Sequence, residues 1–142
     1  MSTEENKALM RRAYEEVYNQ RNLAVLDELC VADFAFQSAS MTITGLEAYK
    51  HFVPLIFAAF PDGRFSIEDM IAEGDRVVLR HTFRGTHQGD FRGLAPTGKQ
   101  VTTTAIVISH IANGKAIEAW FNGDDLGRMQ QLGVIPALVQ AG

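Results

Sequence analysis

The sequence predicts an α+β fold in which helices pack on one face of a curved antiparallel sheet, and three observations predict it. Apolar residues recur at three- and four-residue spacing before position 60 and again near the end, which is helical periodicity. From Arg64 onward the period becomes two. Tight-turn pairs, Gly74-Asp75 and Asn113-Gly114, divide that second region into hairpins. Helices followed by a meander is the element order of an α+β domain, and a sheet curved around helices leaves a concave side where a ligand pocket can form.

The elements follow in order. Leu9, Ala13, Val17 with Tyr14 and Tyr18 give an amphipathic helix from about Thr3 to Asn19, capped by Ser2 or Thr3 with Glu5 closing a capping box. Leu23, Leu26 and Leu29 mark a short second helix, with Asn22 as its N-cap. Asp33 to Gln37 alternates polar and aromatic residues and suits a short strand, after which MTITG turns the chain. Leu46 to Phe60 is a third helix, apolar on most of its circumference, stopped by Pro61, Asp62 and Gly63; Pro54 either kinks it or marks its start. Four strands follow: Arg64 to Glu73, Arg76 to His87, Lys99 to Ile111 and Lys115 to Asn122. HQGDFRGLAPTG reads as a mobile loop at one end of the sheet. A last helix runs from about Asp124 to Leu132 and ends at Gly133.

Composition narrows the function classes. The 142 residues carry 13 Lys+Arg against 17 Asp+Glu, a formal charge of -4, which argues against a nucleic-acid surface. At this length roughly 68% of the unfolded chain's surface is buried on folding, enough for a core without staples. Cys30 is the only cysteine, so no intramolecular disulfide or paired-cysteine motif is available. The longest apolar stretch, Phe52 to Phe60, is too short for a membrane span of about 20 residues. The polar, acidic N-terminus lacks the pattern of a signal peptide, and a cytoplasmic location is expected. One domain over 1–142 is expected, without repeats or linkers.

No nucleotide loop, serine elbow or HExxH is present, and His51, His81, His87 and His110 lack zinc-ligand spacing, so neither a metal nor a cofactor is expected. Acid/base chemistry in a pocket remains. Strand parity puts Val77, Leu79, His81 and Phe83 on one face, opposite Arg76, Arg80 and Arg84. In the next strand Thr102, Thr104, Ile106, Ile108 and His110 share a face. A two-residue Asn113-Gly114 turn would set His110 opposite Ile117, on the side of Ala119 and Phe121. A histidine in that company is either satisfied by a local partner or functional. Asp124 and Asp125 precede the last helix, where an aspartate caps; one can cap while the other points elsewhere.

The run from AAFPDGRF to QQLGVIP, residues 58 to 136, resembles the SnoaL-like polyketide cyclase family of the NTF2-like superfamily, in the version labelled "ester cyclase". The features that carry the resemblance are FPD, EGDRVVLR, GTHQGDFRGLAPTGK and the closing Trp120, Asp124, Leu126, Gly127, Gln131, Leu132 and Gly133; YNQRN is the best match in the helices. The resemblance implies a cone-shaped barrel with a deep apolar cavity, and cofactor-free aldol-type ring closure on a small apolar carbonyl compound. It implies Asp124 as general acid/base assisted by His110, 14 residues earlier, and Tyr18 as a pocket-lining position; beside Tyr18 we expect His81, Phe83 and Trp120 to shape the cavity. The chain departs from many relatives at His81, where they carry tryptophan, and at Gln37-Ser38, where several carry histidine.

Isomerase, dehydratase or epoxide-hydrolase chemistry on the same scaffold is the alternative among enzymes. A small-ligand-binding domain without turnover is the alternative outside them. A homodimer joined through the convex sheet face is expected, with Val101, Val107 and Ile111 as candidates for that contact.

Overall fold

A computed structural model describes residues 2–136. The elements are α1 (Thr3–Arg12), continued by a π-helical turn over Ala13–Asn19, then a 3-10 turn (Leu23–Val25), α2 (Leu26–Leu29), β1 (Cys30–Ser38), β2 (Thr42–Thr44), α3 (Leu46–Ala59), β3 (Arg64–Glu73), β4 (Arg76–Thr86), β5 (Gln100–Ala112), β6 (Lys115–Gly123) and α4 (Asp125–Gln131). Ser2 and Glu5 form the expected capping box. Asn22, in contrast, makes no capping bond with its side chain. Pro54 lies inside α3, and β1 begins directly at the end of α2, three residues before the expected strand.

One six-stranded sheet, in the order β2-β1-β6-β5-β4-β3, is bent around α1, its π-helical continuation and α3. Its edges β2 and β3 do not join, so the sheet remains an open curve. Four of the five pairings are antiparallel as expected; β1 lies parallel to β6. That parallel pair follows from connectivity, because β1 reaches the sheet from the helical layer and its neighbour is the last strand.

Register decides which residues face inward. Asn113 and Gly114 both have positive φ, 52° and 77°, the I′ geometry that asparagine and glycine tolerate. Beyond this turn a bulge between His110 and Ile111 sets His110 opposite Glu118 and not Ile117. Ala119 and Phe121 therefore turn inward, whereas Ile106, Ile108, His110, Glu118 and Trp120 occupy the outer face. On β5 the expected sides are thus reversed: Val101, Val107 and Ile111, expected outside, are 1%, 7% and 2% exposed. Both faces of β5 mix Thr or Ser with branched aliphatics, so alternation alone carries no sign. On β4 the parity reads correctly, with Val77, Leu79, His81 and Phe83 buried.

The sequence motifs serve architecture. In YNQRN, the Asn19 amide brackets the backbone of Phe65, donating to its carbonyl and accepting from its N–H, both at 2.9 Å. Arg21 donates to the carbonyls of Tyr18, Pro61 and Gly63 and lies over the Phe57 ring. In the closing motif, Gln131 grips Thr102 in the same two-way manner and docks α4 on β5. The loop after β4 is anchored along its length. The fully buried His87 accepts from the Thr97 N–H through Nδ1 and stacks near Phe60 and Phe91. Gly89 lies so close to α3 that a β-carbon there would sit 2.0 Å from the Ala58 carbonyl oxygen. No helix among the described residues is long and apolar enough to cross a membrane.

Candidate functional site

Between the helices and the concave face lie two adjoining chambers that share part of their walls. The inner chamber, of about 90 Å³, is walled by side chains of α1, the π-helical turn, α2, α3 and the sheet; the outer chamber, of about 520 Å³, opens toward the β4–β5 loop and α4. Phe36, Phe52, Ile56, Phe65, His81 and Phe121 line both, so they form the waist between them.

Polar groups are few, and they are paired. The Tyr14 hydroxyl lies 2.6 Å from His81 Nδ1, and the Tyr18 and Tyr49 hydroxyls meet at 2.5 Å. The π-helical turn puts Tyr14 and Tyr18 on one inward surface with their rings edge to face at 5.3 Å. Wide turns of this kind recur at functional sites because they displace side chains from α-helical positions. Phe65 packs edge-on against His81 at 5.0 Å between ring centres.

Burial governs the chemistry of these groups. Loss of water pushes the His81 pKa down to about 4, with the charge of Arg128 adding to the effect, so the imidazole is neutral at pH 7. Burial likewise raises the Tyr14 and Tyr49 hydroxyls well above their ordinary value and lifts Tyr18 too, so all three remain protonated. Tyr14 has no other hydrogen-bond acceptor among the described residues, which assigns its O–H as donor to Nδ1. The ring hydrogen of neutral His81 then sits on Nε2, since its recorded hydrogen bond among the described residues is through Nδ1. Cys30, also lining the inner chamber, is held as a thiol, its pKa pushed up to about 12 by burial.

The outer chamber adds the charged groups. Asp90, Arg92, Asp125 and Arg128 stand in its wall, both guanidinium groups lying near the Phe91 ring. Arg128 Nη1 reaches Asp125 at 3.5 Å.

Of the six residues expected at the site, three line the cavity: Tyr18 in the inner chamber, Phe83 in the outer one and His81 at the waist. The other three lie elsewhere. Trp120 is on the outer face beneath the Arg76 guanidinium. His110 is on the same face, its Nε2 2.7 Å from Asp75. Asp124 is exposed and caps α4 by accepting from the Gly127 N–H at 2.9 Å. Fourteen residues of spacing therefore do not bring His110 and Asp124 together: one belongs to a hairpin on the convex side, the other to a helix start. Asp125, the neighbour left free by the cap, is the carboxylate that reaches the cavity. Tyr14, Tyr49, Asp125 and Arg128 were not expected as site residues. Two of them left a signal: Tyr14 through its four-residue spacing from Tyr18, and Asp125 as the partner of a capping aspartate that can point elsewhere. Among the described residues no group of three or more His, Cys, Asp or Glu could hold a metal ion.

A family model for "SnoaL-like polyketide cyclase" matches residues 8–132. No curated protein matches the sequence. Solved structures do match. A "putative SnoaL-like polyketide cyclase" from Jannaschia sp. CCS1 is 24% identical with a TM-score of 0.88, over 94% of this chain and 95% of that one. AclR from Streptomyces galilaeus, called a "putative hydroxylase", is 28% identical with a TM-score of 0.86, over 98% and 87%. IdmH from Streptomyces antibioticus, called a "putative polyketide cyclase", is 27% identical with a TM-score of 0.79, over 90% and 98%. The NTF2-like fold expected from the resemblance is the fold of these structures.

Proposed function

The chain belongs to the SnoaL-like polyketide cyclase family, and we propose that it catalyses cofactor-free proton transfer, of the kind used in aldol-type ring closure, on an apolar carbonyl compound held in this cavity. The observation that carries this reading is the Tyr14–His81 hydrogen bond of 2.6 Å at the waist of an otherwise apolar cavity. A neutral imidazole with its Nε2–H turned to the cavity donates to a carbonyl oxygen, and that bond strengthens as the oxygen gains charge. Asp125, in the same cavity wall, is the carboxylate that withdraws the proton from carbon next to the carbonyl. The electrons move into the carbonyl, giving an enolate whose oxygen His81 holds; attack of the enolate carbon on a second carbonyl forms the ring bond, and the new alkoxide takes the proton. Phe65, Phe83 and Phe121 exclude water and fill the walls.

This assignment moves the acid/base role from Asp124 and His110 to Asp125 and His81. A second AclR-like possibility, oxygen insertion, is favoured by no observation at this site. The test is deuterium exchange at the activated carbon of aryl 1,3-diketones in D2O, followed by NMR. Exchange at least tenfold above buffer, reduced at least tenfold by His81→Gln and by Asp125→Asn but unaltered by His110→Ala, is the expected result. Exchange that persists in both cavity variants contradicts the roles given to these residues.

We also propose that two copies associate through the outer sheet face. Ile106 and Ile108, 50% and 36% exposed, form its apolar centre beside Trp120, with Arg76 and Arg80 on one flank and Glu118 on the other. A two-fold axis through β5 would bring the arginine flank of each copy to the acidic flank of the other.

A further inference from the structure

Charge at the cavity mouth is arranged unlike charge elsewhere on the molecule. Arg128 has a side chain only 15% exposed, and its Nε is buried without a hydrogen-bond partner. Its one carboxylate contact is the 3.5 Å approach of Nη1 to Asp125. Burial works against its charge, which Asp125 offsets in part. An incompletely paired buried cation is costly to keep. Arg92 also lies against Phe91, 5.2 Å from the ring centre where Arg128 is 5.3 Å. It takes a left-handed backbone, φ 50°, in a turn closed by the Gly93 N–H donating to Asp90. Among the described residues Arg92 pairs with no carboxylate. Asp90 is engaged by that turn and Asp125 meets Arg128 only through the 3.5 Å approach to Nη1, so the two guanidinium groups retain free donors.

We propose that the ligand of this cavity is an amphiphilic carboxylate, its anionic group anchored by Arg128 with Arg92 beside it and its apolar body reaching past Phe83 to the waist at His81. The inference rests on the reading of the cavity as the substrate site and adds the substrate class. A planar carboxylate matches a guanidinium fork, and Arg128 offers buried donors that its single 3.5 Å contact with Asp125 leaves unused; Arg92 and Arg128 only balance Asp90 and Asp125 in charge, so a dianionic group would meet no surplus cation. Anchoring the anion at the mouth leaves the reacting carbonyl in the apolar part, where the hydrogen bond from His81 is least screened.

Calorimetric titration with 1-hydroxy-2-naphthoate and its methyl ester tests this, since the two share one ring system and differ in charge. The wild-type protein is expected to bind the acid at least tenfold more tightly than the ester. Arg128→Met should lower acid affinity about tenfold and leave the ester unchanged. Arg92→Asn, which suits the left-handed backbone, should lower acid affinity by a smaller factor. Equal affinity for acid and ester, no binding of the acid, or an acid preference that survives both variants overturns the proposal. If Arg128→Met does not fold, by far-UV circular dichroism, Arg92→Asn decides alone: an unchanged acid-to-ester ratio overturns it. His81→Gln should leave that ratio intact. Exchange chemistry that is absent while the ratio holds therefore defeats the catalytic reading and not this one, and exchange without any acid preference does the reverse.

Discussion

At His81 the hydrogen bond from Tyr14 sets the tautomer while burial sets the charge, and the consequence for stability has a sign. The unfolded imidazole titrates near 6.5, the folded one at about 4. At pH 7 the folded imidazole is neutral and the unfolded one mostly so, and the cost of His81 is small. As pH falls from about 6.5 to 4 the unfolded chain takes up a proton that the folded chain refuses, so stability is lost across that window, by up to about 3 kcal/mol, and changes no further below it. Urea denaturation at pH 7, 5.5 and 4.5 should show this loss in the wild type and a shallower one in His81→Gln. Parallel profiles would contradict it. Asp124 has a plainer role: Asp124→Ala removes the cap of α4 and should cost about 1 kcal/mol at pH 7 while exchange activity is kept. An activity loss beyond tenfold with stability unchanged would return Asp124 to the chemistry.

Among the elements, helices and hairpins were legible because their signals are local. The Ser2 capping box, the Asn113-Gly114 turn and the alternation along β4 all appear as read. Three features were not legible. The π-helical turn leaves the same residue types at the same spacing as an α-helix. The parallel β1–β6 pair depends on partners 83 to 86 residues apart. The bulge in β6 is one extra residue that no turn signal announces, yet it reverses the facing of Trp120 and Phe121. His110 and Asp124 were linked through spacing, and spacing cannot see that reversal. The β4–β5 loop, read as mobile from its glycines, is tied by His87 to Thr97 and by close approach to α3. Gly89→Ala should therefore destabilise the fold by about 1–3 kcal/mol, the usual cost of overpacking, measured as a shift in denaturation midpoint. A neutral effect would mean that the loop and α3 separate easily.

For the whole molecule, sheet curvature does two things with one set of strands. The concave side, closed by α1, its π-helical continuation and α3, makes the cavity; the convex side is left with Ile106 and Ile108 exposed. Light scattering is expected to give about twice the chain mass of 15.7 kDa, and Ile106→Glu to return it to one. A monomer in the wild type would contradict the proposed contact. The fold was readable from the resemblance over residues 58 to 136. The cavity chemistry was not, because Tyr14 and His81 are 67 residues apart and meet only when the helical layer closes on the sheet.

The most direct measurement is long-range proton–nitrogen NMR of His81 in labelled protein, titrated from pH 8 to 4.5. The account predicts a single neutral tautomer with hydrogen on Nε2, unprotonated down to pH 5, whose Nε2 resonance moves when a carbonyl ligand is added. A ring that carries its hydrogen on Nδ1, that takes up a proton near pH 6.5, or that ignores the ligand would contradict it.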